Sequence, residues 1–308
     1  MNTFVRRRID VTLELANDQR FEGQGNASII HLRGLRVKAD IKKIGQFGEG
    51  WQASLSIFGM LEADMNALSV LSFNSTAVQL NKVRVSVGDE HVMTPVFSGH
   101  IVNGWIDYAN SPEVCFVIEA MPDYYNRLRV SKPTSFPDKT ALKVVMGDLA
   151  RKMGYTLRDN DIKATLSKGY FDNSFFKQAE NIARQTNTVM IIENDVLILT
   201  PAKVPLRSDS SGVPVVSPEN GLVGYPTFNK EGISFKSLFN PAIRYYHNVR
   251  LETRQKPVAG EWTVIGVQYQ LESEVPNGAW FCQVDARQFD SKRFDDSSVA
   301  ASTPTAAS

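Results

Sequence analysis

The chain has 308 residues, 43% of them hydrophobic and 22% charged, with a formal net charge of +1. That length holds two ordinary domains or one large one, and the composition is that of a folded soluble protein. Near neutrality excludes a global pull toward nucleic acid or an anionic membrane, and Arg6, Arg7 and Arg8 make only a short basic run of the solvated kind.

The opening MNTFVRRRIDVTLELAND carries charges where a signal peptide needs an apolar core, and no apolar run approaches the roughly 18 residues of a membrane span. The expectation is a chain made and used, or assembled, in the cytoplasm, without membrane insertion. Residues 4 to 15 alternate, with Phe4, Ile9, Val11, Leu13 and Leu15 assigned to one face. Period two predicts a half-buried strand. The pattern returns at Leu35–Ile41, Ala53–Phe58, Val83–Val87, Val96–Tyr108 and Val114–Ala120, with a helix predicted over Leu61–Leu71 from Leu61, Met65, Leu68 and Leu71. Residues 1–132 therefore read as a first β-domain with one helix and a turn every eight to twelve residues or so, as sandwiches and barrels require.

After Pro133 and Pro137 the period changes. Leu142, Val145, Met146, Leu149, Ala150 and Met153 define one face of a helix, with Asp138 or Thr140 as candidate cap and Gly154 as its stop. A second helix is predicted over Ser174–Thr186, with Phe175, Ala179, Ile182 and Ala183 on its apolar face. Thr188–Thr200 reads as a hairpin around Asn194-Asp195, residues that tolerate the positive φ of a tight turn. Residues 133–205 thus form a small α+β insertion. Lys203–Pro218 reads as a linker, residues 206–288 as a second β-domain, and residues 289–308, poor in apolar side chains, as a flexible tail.

The two β blocks end alike. IVNGWIDYANSPEVCFVIEA (101–120) and TVIGVQYQLESEVPNGAWFCQVDA (263–286) each hold a mid-strand glycine (Gly104, Gly266), an aromatic (Tyr108, Tyr269), a proline turn (Pro112, Pro276) and an Ile-Glu-Ala or Val-Asp-Ala ending. One hairpin occurs twice, which points to pseudo-symmetry and so to assembly.

Chemistry is hard to find. The motifs GxSxG, GxGxxG and HExxH and the P-loop are absent. In Ser98-Gly99-His100 the two side chains are taken to opposite faces of a strand, which excludes a nucleophile-base pair. Asp107, Glu113, Glu119 and Asp123 have no glycosidase spacing, Asp64 is too isolated for a metal, and His247 has no evident partner. Cys115 and Cys282 read as two buried free thiols, with a disulfide as the lesser alternative. No catalytic, cofactor or metal site is assigned.

The segment Gly221–Glu252, GLVGYPTFNKEGISFKSLFNPAIRYYHNVRLE, resembles the baseplate hub proteins of bacteriophage tails, of the late-control-gene-D type. The resemblance rests on Gly221-Leu222-Val223-Gly224, Pro226-Thr227, Gly232-Ile233 and Leu238-Phe239-Asn240-Pro241. It extends to FFKQAENIARQTN, to Ile198–Pro201 and to Gly260–Val264. The family often has a glycine a few residues after Asn-Pro. This chain has Tyr245, Tyr246 and His247, which are expected at a loop or subunit contact. The resemblance implies a β-rich α+β chain: two tail-tube-like β-barrel or sandwich domains around an inserted α+β domain. It also implies a homotrimer presenting six barrels in a ring, in the virion. Its partners would be the tail tube protein, the central spike, and tape measure and baseplate wedge proteins, with DNA only passing through the lumen. The alternative is a tail-associated glycan-binding or wall-degrading protein, with Trp105, Trp262 and Trp280 stacking on sugars rather than packing in a core. A plain tail-tube protein would need only one barrel.

Overall fold

A computed structural model describes residues 6–22, 25–47, 50–69, 80–208 and 212–289. The first part holds β1 (Arg8–Glu14), β2 (Ile29–Leu32), β3 (Val37–Ile44), β4 (Gln52–Phe58), α1 (Glu62–Leu68), β5 (Lys82–Gly88), β6 (Met93–Asp107), β7 (Cys115–Met121) and the short α2 (Tyr124–Leu128). The middle holds β8 (Thr134–Phe136), β9 (Thr140–Ala141), α3 (Leu142–Met153), β10 (Thr156–Asp159), β11 (Thr165–Leu166), β12 (Gly169–Phe171), α4 (Phe175–Gln185), β13 (Thr188–Glu193) and β14 (Val196–Pro201). The last part adds β15 (Val215–Val216), β16 (Leu222–Phe228), β17 (Ile233–Leu238), β18 (Asn248–Leu251), β19 (Gly260–Glu272) and β20 (Trp280–Arg287).

The alternating strands do what their period requires. Ile9, Val11 and Leu13 of β1, Ala53, Leu55 and Ile57 of β4, and Val83, Val85 and Val87 of β5 all enter one core, while their neighbours face outward. Phe4 and Leu71, assigned to the first strand and first helix, lie outside the described residues. Leu61 precedes α1 and is exposed; Met65 and Leu68 carry the buried face.

Both β blocks belong to one sheet, ordered β16-β17-β20-β19-β3-β4-β7-β6-β5-β1-β2, with β18 pairing β19 and β15 pairing β18. The blocks meet where β19 pairs antiparallel with β3, Gly266 opposite Ile44 through Glu272 opposite Lys38. The order contains one four-strand run twice: β16-β17-β20-β19, then β3-β4-β7-β6. The two runs share a defect. A bulge lies between Ile101 and Asn103, opposite Ala120 and Glu119, and another between Val264 and Gly266, opposite Ala286 and Asp285. The Ile118–Ala120 and Val284–Ala286 endings therefore coincide, as the sequence echo indicates. The glycines and aromatics do not. Gly266 corresponds to Asn103, and Tyr269 to Ile106, because the bulge and not the glycine sets the register.

The α+β unit has its own core, built from α3, α4 and the β13–β14 hairpin, joined by Phe47. Gly154 ends α3 at φ 86°, and Asn194-Asp195 turn the hairpin at φ 50° and 62°. Neither candidate cap holds α3. Thr140 and Ala141 form β9 against β11, so the chain enters the helix from a strand and Ala164 O takes the first orphan N–H, from Leu142. Asp138 accepts instead from Lys168 N, and Thr140 donates to Pro137 O. In α4 the fully seated ring is Phe176, with Phe175 only partly buried. Lys203–Pro218 is not a free linker: Leu206 bridges to His247, Val215–Val216 pair with β18, and Leu206 and Val216 are buried. Of the expected tail, Phe289 packs its ring 5.9 Å from Tyr246, and residues 290–308 lie outside the described residues.

Candidate functional site

Ser98 and His100 are two residues apart in β6, so they share a face, contrary to the expectation of opposite faces. They flank a cleft of about 290 Å³ with Lys82, Asp123, Tyr125, Tyr155 and Asp195. No hydrogen bond joins the two side chains. Burial, and then the nearby Lys82 charge, push His100 down to about 4, so its imidazole is neutral at physiological pH. The cleft lacks the serine-histidine hydrogen bond that activates a serine nucleophile.

Asp123, at the β7–α2 corner, is the buried acid of this cleft. Its Oδ1 accepts from Tyr155 Oη at 2.5 Å and from Asn126 Nδ2 at 2.6 Å, and Asn126 also donates to Met153 O. Burial raises its carboxyl to about 6 against the pull of these donors. The cluster ties the first β block to the end of α3. The other carboxylates have separate partners: Asp107 accepts from Ala109 N, Glu113 pairs with Arg36, and Glu119 accepts from Asn103. Asp64 is buried in α1. Among the described residues no group of three His, Cys, Asp or Glu side chains could hold a metal. No helix among them is long and apolar enough to cross a membrane.

A second polar anchor sits at the β3–β19 junction. Buried Lys43 pairs with Glu193 at the end of β13, its ammonium 5.2 Å from the Trp51 ring. Burial raises the Glu193 carboxyl, but the Lys43 charge and hydrogen bond, with the smaller pulls of Arg244 and His247, together outweigh it and leave the group below its ordinary value. Trp51 meets Tyr245 edge-on at 5.4 Å, and Tyr245 donates to Gly45 O. Tyr246 stacks beside Tyr245, accepts from Lys203 N at 2.8 Å and adopts φ 62°. His247 bonds Tyr245 O at 3.0 Å. Tyr245 and Tyr246 form a turn, as the loop expectation has it, but with His247 they are 5%, 2% and 4% exposed, so they are interior joints and not a subunit contact. Tyr246 holds this turn in the left-handed conformation that ordinarily favours glycine.

Trp262 and Trp280 are buried; Trp262 donates to Val258 O, and Trp280 packs on Phe239. Two of the three tryptophans considered as sugar platforms are thus core, and Trp105 alone is partly exposed. Cys115 and Cys282 are both free and buried, and burial pushes the Cys282 thiol up to about 12. The basic run is pinned to the surface: Arg6 pairs with Glu274, Arg7 lies over Trp280, and Arg8 pairs with Asp10.

With chemistry so sparse, the surface that stands out is a sheet edge. β16 pairs with β17 on one side and with no described strand on the other. Val223, Tyr225 and Phe228 on it are exposed, as is Leu238 on β17. Unpaired edges with apolar side chains are assembly sites in proteins that form ordered arrays. Sequence periodicity missed this edge, because exposure of Phe228 depends on which strand is absent beside it.

The fold is that of phage tail proteins. It matches the 43 kDa tail protein of prophage MuSo2 from Shewanella oneidensis with a TM-score of 0.60 at 8% identity, covering 92% of this chain and 98% of that one. It matches the tail protein from Neisseria meningitidis MC58 at 0.58 and 7% identity, covering 91% and 96%. It also matches a chain of the Francisella PdpA-VgrG complex at 0.55 and 9% identity, covering 94% of this chain and 54% of that one. None of the curated proteins compared by sequence matches the chain. Over residues 8–281 the chain matches the baseplate hub gp41 family, and it belongs to that family. It is a structural protein of the phage baseplate, and so a component of the virion.

Proposed function

We propose that three copies of this chain form the hub ring of a phage tail. The ring presents six tube-like β-units, joins the hexameric tail tube on one side to the trimeric central spike on the other, and leaves a channel for DNA. The observation that carries this reading is the four-strand run that occurs twice in one sheet, with its bulge at the same place in both runs. A chain with two similar units adapts sixfold to threefold symmetry without a second gene product. The reading takes residues 1–132 as the first tube-like unit, 133–205 as the insertion, 206–288 as the second unit and 289–308 as a tail. Tape measure and baseplate wedge proteins are its further neighbours, and assembly takes place in the host cytoplasm. Near-neutral net charge suits a lumen that passes DNA without retaining it. No catalytic step, cofactor or metal is assigned to the chain.

A density map of the tail tip tests this. It should contain three copies, each contributing two similar lobes to one ring directly below the tube. Six copies, or lobes that do not superpose, would sink the reading.

A further inference from the structure

β6 and β19 are each divided by their bulge. Before it, β6 pairs with β5 over Met93–His100, and β19 pairs with β18 over Gly260–Thr263. After it, β19 pairs with β3. The corresponding stretch of β6, Gly104–Asp107, has no strand on that side among the described residues. At the far end of the sheet β16, the counterpart of β3, likewise has one open side. The two open edges are counterparts of the two strands that the internal junction joins.

The correspondence can be followed residue by residue. Ile41 lies opposite Ala53, which lies opposite Ala120; Phe228 lies opposite Ile233, which lies opposite Ala286. The bulges align Ala120 with Ala286, so Phe228 occupies the place of Ile41 and Ile106 that of Tyr269. Ile41 and Tyr269 face each other at the junction and are 0% and 2% exposed. Phe228 faces the same side as fully buried Ile233, which is the core side, yet it is 69% exposed. Such exposure on a core face marks a sheet that lacks its next strand.

We propose that β16 of one copy adds, antiparallel, to Gly104–Asp107 of β6 in the next copy, in the register of the β3–β19 junction. Ile106 then lies opposite Phe228, Asp107 opposite Thr227 and Trp105 opposite Asn229. The number of copies rests on the trimeric reading above; the pairing does not. Register beyond Thr227 does not transfer, because β16 has an irregularity between Val223 and Thr227 that β3 lacks.

Engineered disulfides in the full chain test the pairing. Adjacent cross-strand pairs alternate between wide and close spacing, so Ile106→Cys/Phe228→Cys and Asp107→Cys/Thr227→Cys are both made. Native Cys115 and Cys282 are buried and do not compete. Asp40→Cys/Gln270→Cys, across the internal junction, is the intrachain control for folding and oxidation. The expected result is a closed covalent trimer from at least one of the two pairs, and a cross-linked monomer from the control. Phe228→Lys added to the Asp107/Thr227 pair should abolish the trimer while leaving the melting temperature of the single copy unchanged. A ladder of open cross-linked chains would uphold the pairing and overturn the count of three. A trimer in sedimentation that neither pair cross-links would overturn the pairing and leave the count standing. Neither association nor cross-linking, with the control oxidised, would overturn both.

Discussion

Tyr246 combines a left-handed backbone with a buried ring, and the two pull in opposite directions. The conformation costs about 1 kcal/mol relative to glycine. The ring, 2% exposed, fills space between Tyr245 and Phe289 and satisfies Lys203 N. Cavity and lost hydrogen bond outweigh relieved strain, so Tyr246→Gly should destabilise by about 2–3 kcal/mol in urea unfolding. A variant as stable as the parent would mean that the ring is dispensable. Asp123 gives a pH signature. Its folded value, about 6, lies above the ordinary 3.8, so the fold prefers the protonated acid. Its contribution is complete below about pH 4 and is lost as pH rises through about 6. Between pH 4 and 7 the parent should lose on the order of 2 kcal/mol relative to Asp123→Asn. Parallel stability-pH curves for the two proteins would refute the assignment. Neither effect was legible in the sequence. Burial of Asp123 depends on Tyr155 and Met153 folding back onto it, and the glycine-like turn was visible only as a glycine that was missing.

At the scale of elements, strand positions followed from period two, because every alternating run does bury one side. What the period could not give was register. Gly104 and Gly266 looked equivalent in sequence, but they serve different ends. A Cβ on Gly104 would come within 2.9 Å of Leu68 O and 3.1 Å of the Phe116 ring, whereas one on Gly266 would meet nothing closer than 3.4 Å. Gly104→Ala should therefore destabilise by about 1–3 kcal/mol and Gly266→Ala by well under 1, measured by chemical denaturation. Equal effects would show that α1 yields to the added methyl. Helix α3 makes the same point. Its face was readable, but its cap was not, since Thr140 is paired with Leu166 of β11 and Asp138 accepts from Lys168 N, partners more than twenty residues away.

On the scale of the whole molecule, the α+β unit packs into the sheet core through Val189, Ile191 and Ile198, with the Lys43–Glu193 pair near the β3–β19 junction as a polar anchor. Lys43→Met alone strands a partly buried carboxylate and should cost about 3 kcal/mol. Adding Glu193→Leu should restore most of it and leave the coupling visible in a double-mutant cycle measured by thermal unfolding. Additive losses would show that the two side chains do not communicate. The junction itself was beyond any sequence pattern, because β3 and β19 meet across more than two hundred residues of chain.

That junction also fixes a rotation. Whatever turn separates the first four-strand run from the second is the turn the next copy inherits if it docks in the same way. A turn of about 60° per run with no rise closes after six runs, whereas a turn that does not divide the circle evenly, or one that carries a rise, opens into a helix that never meets its own start. The curvature written into a single chain is then what limits the assembly to a finite number of copies, and Pro226, which has no N–H to donate, further narrows what else β16 can recruit.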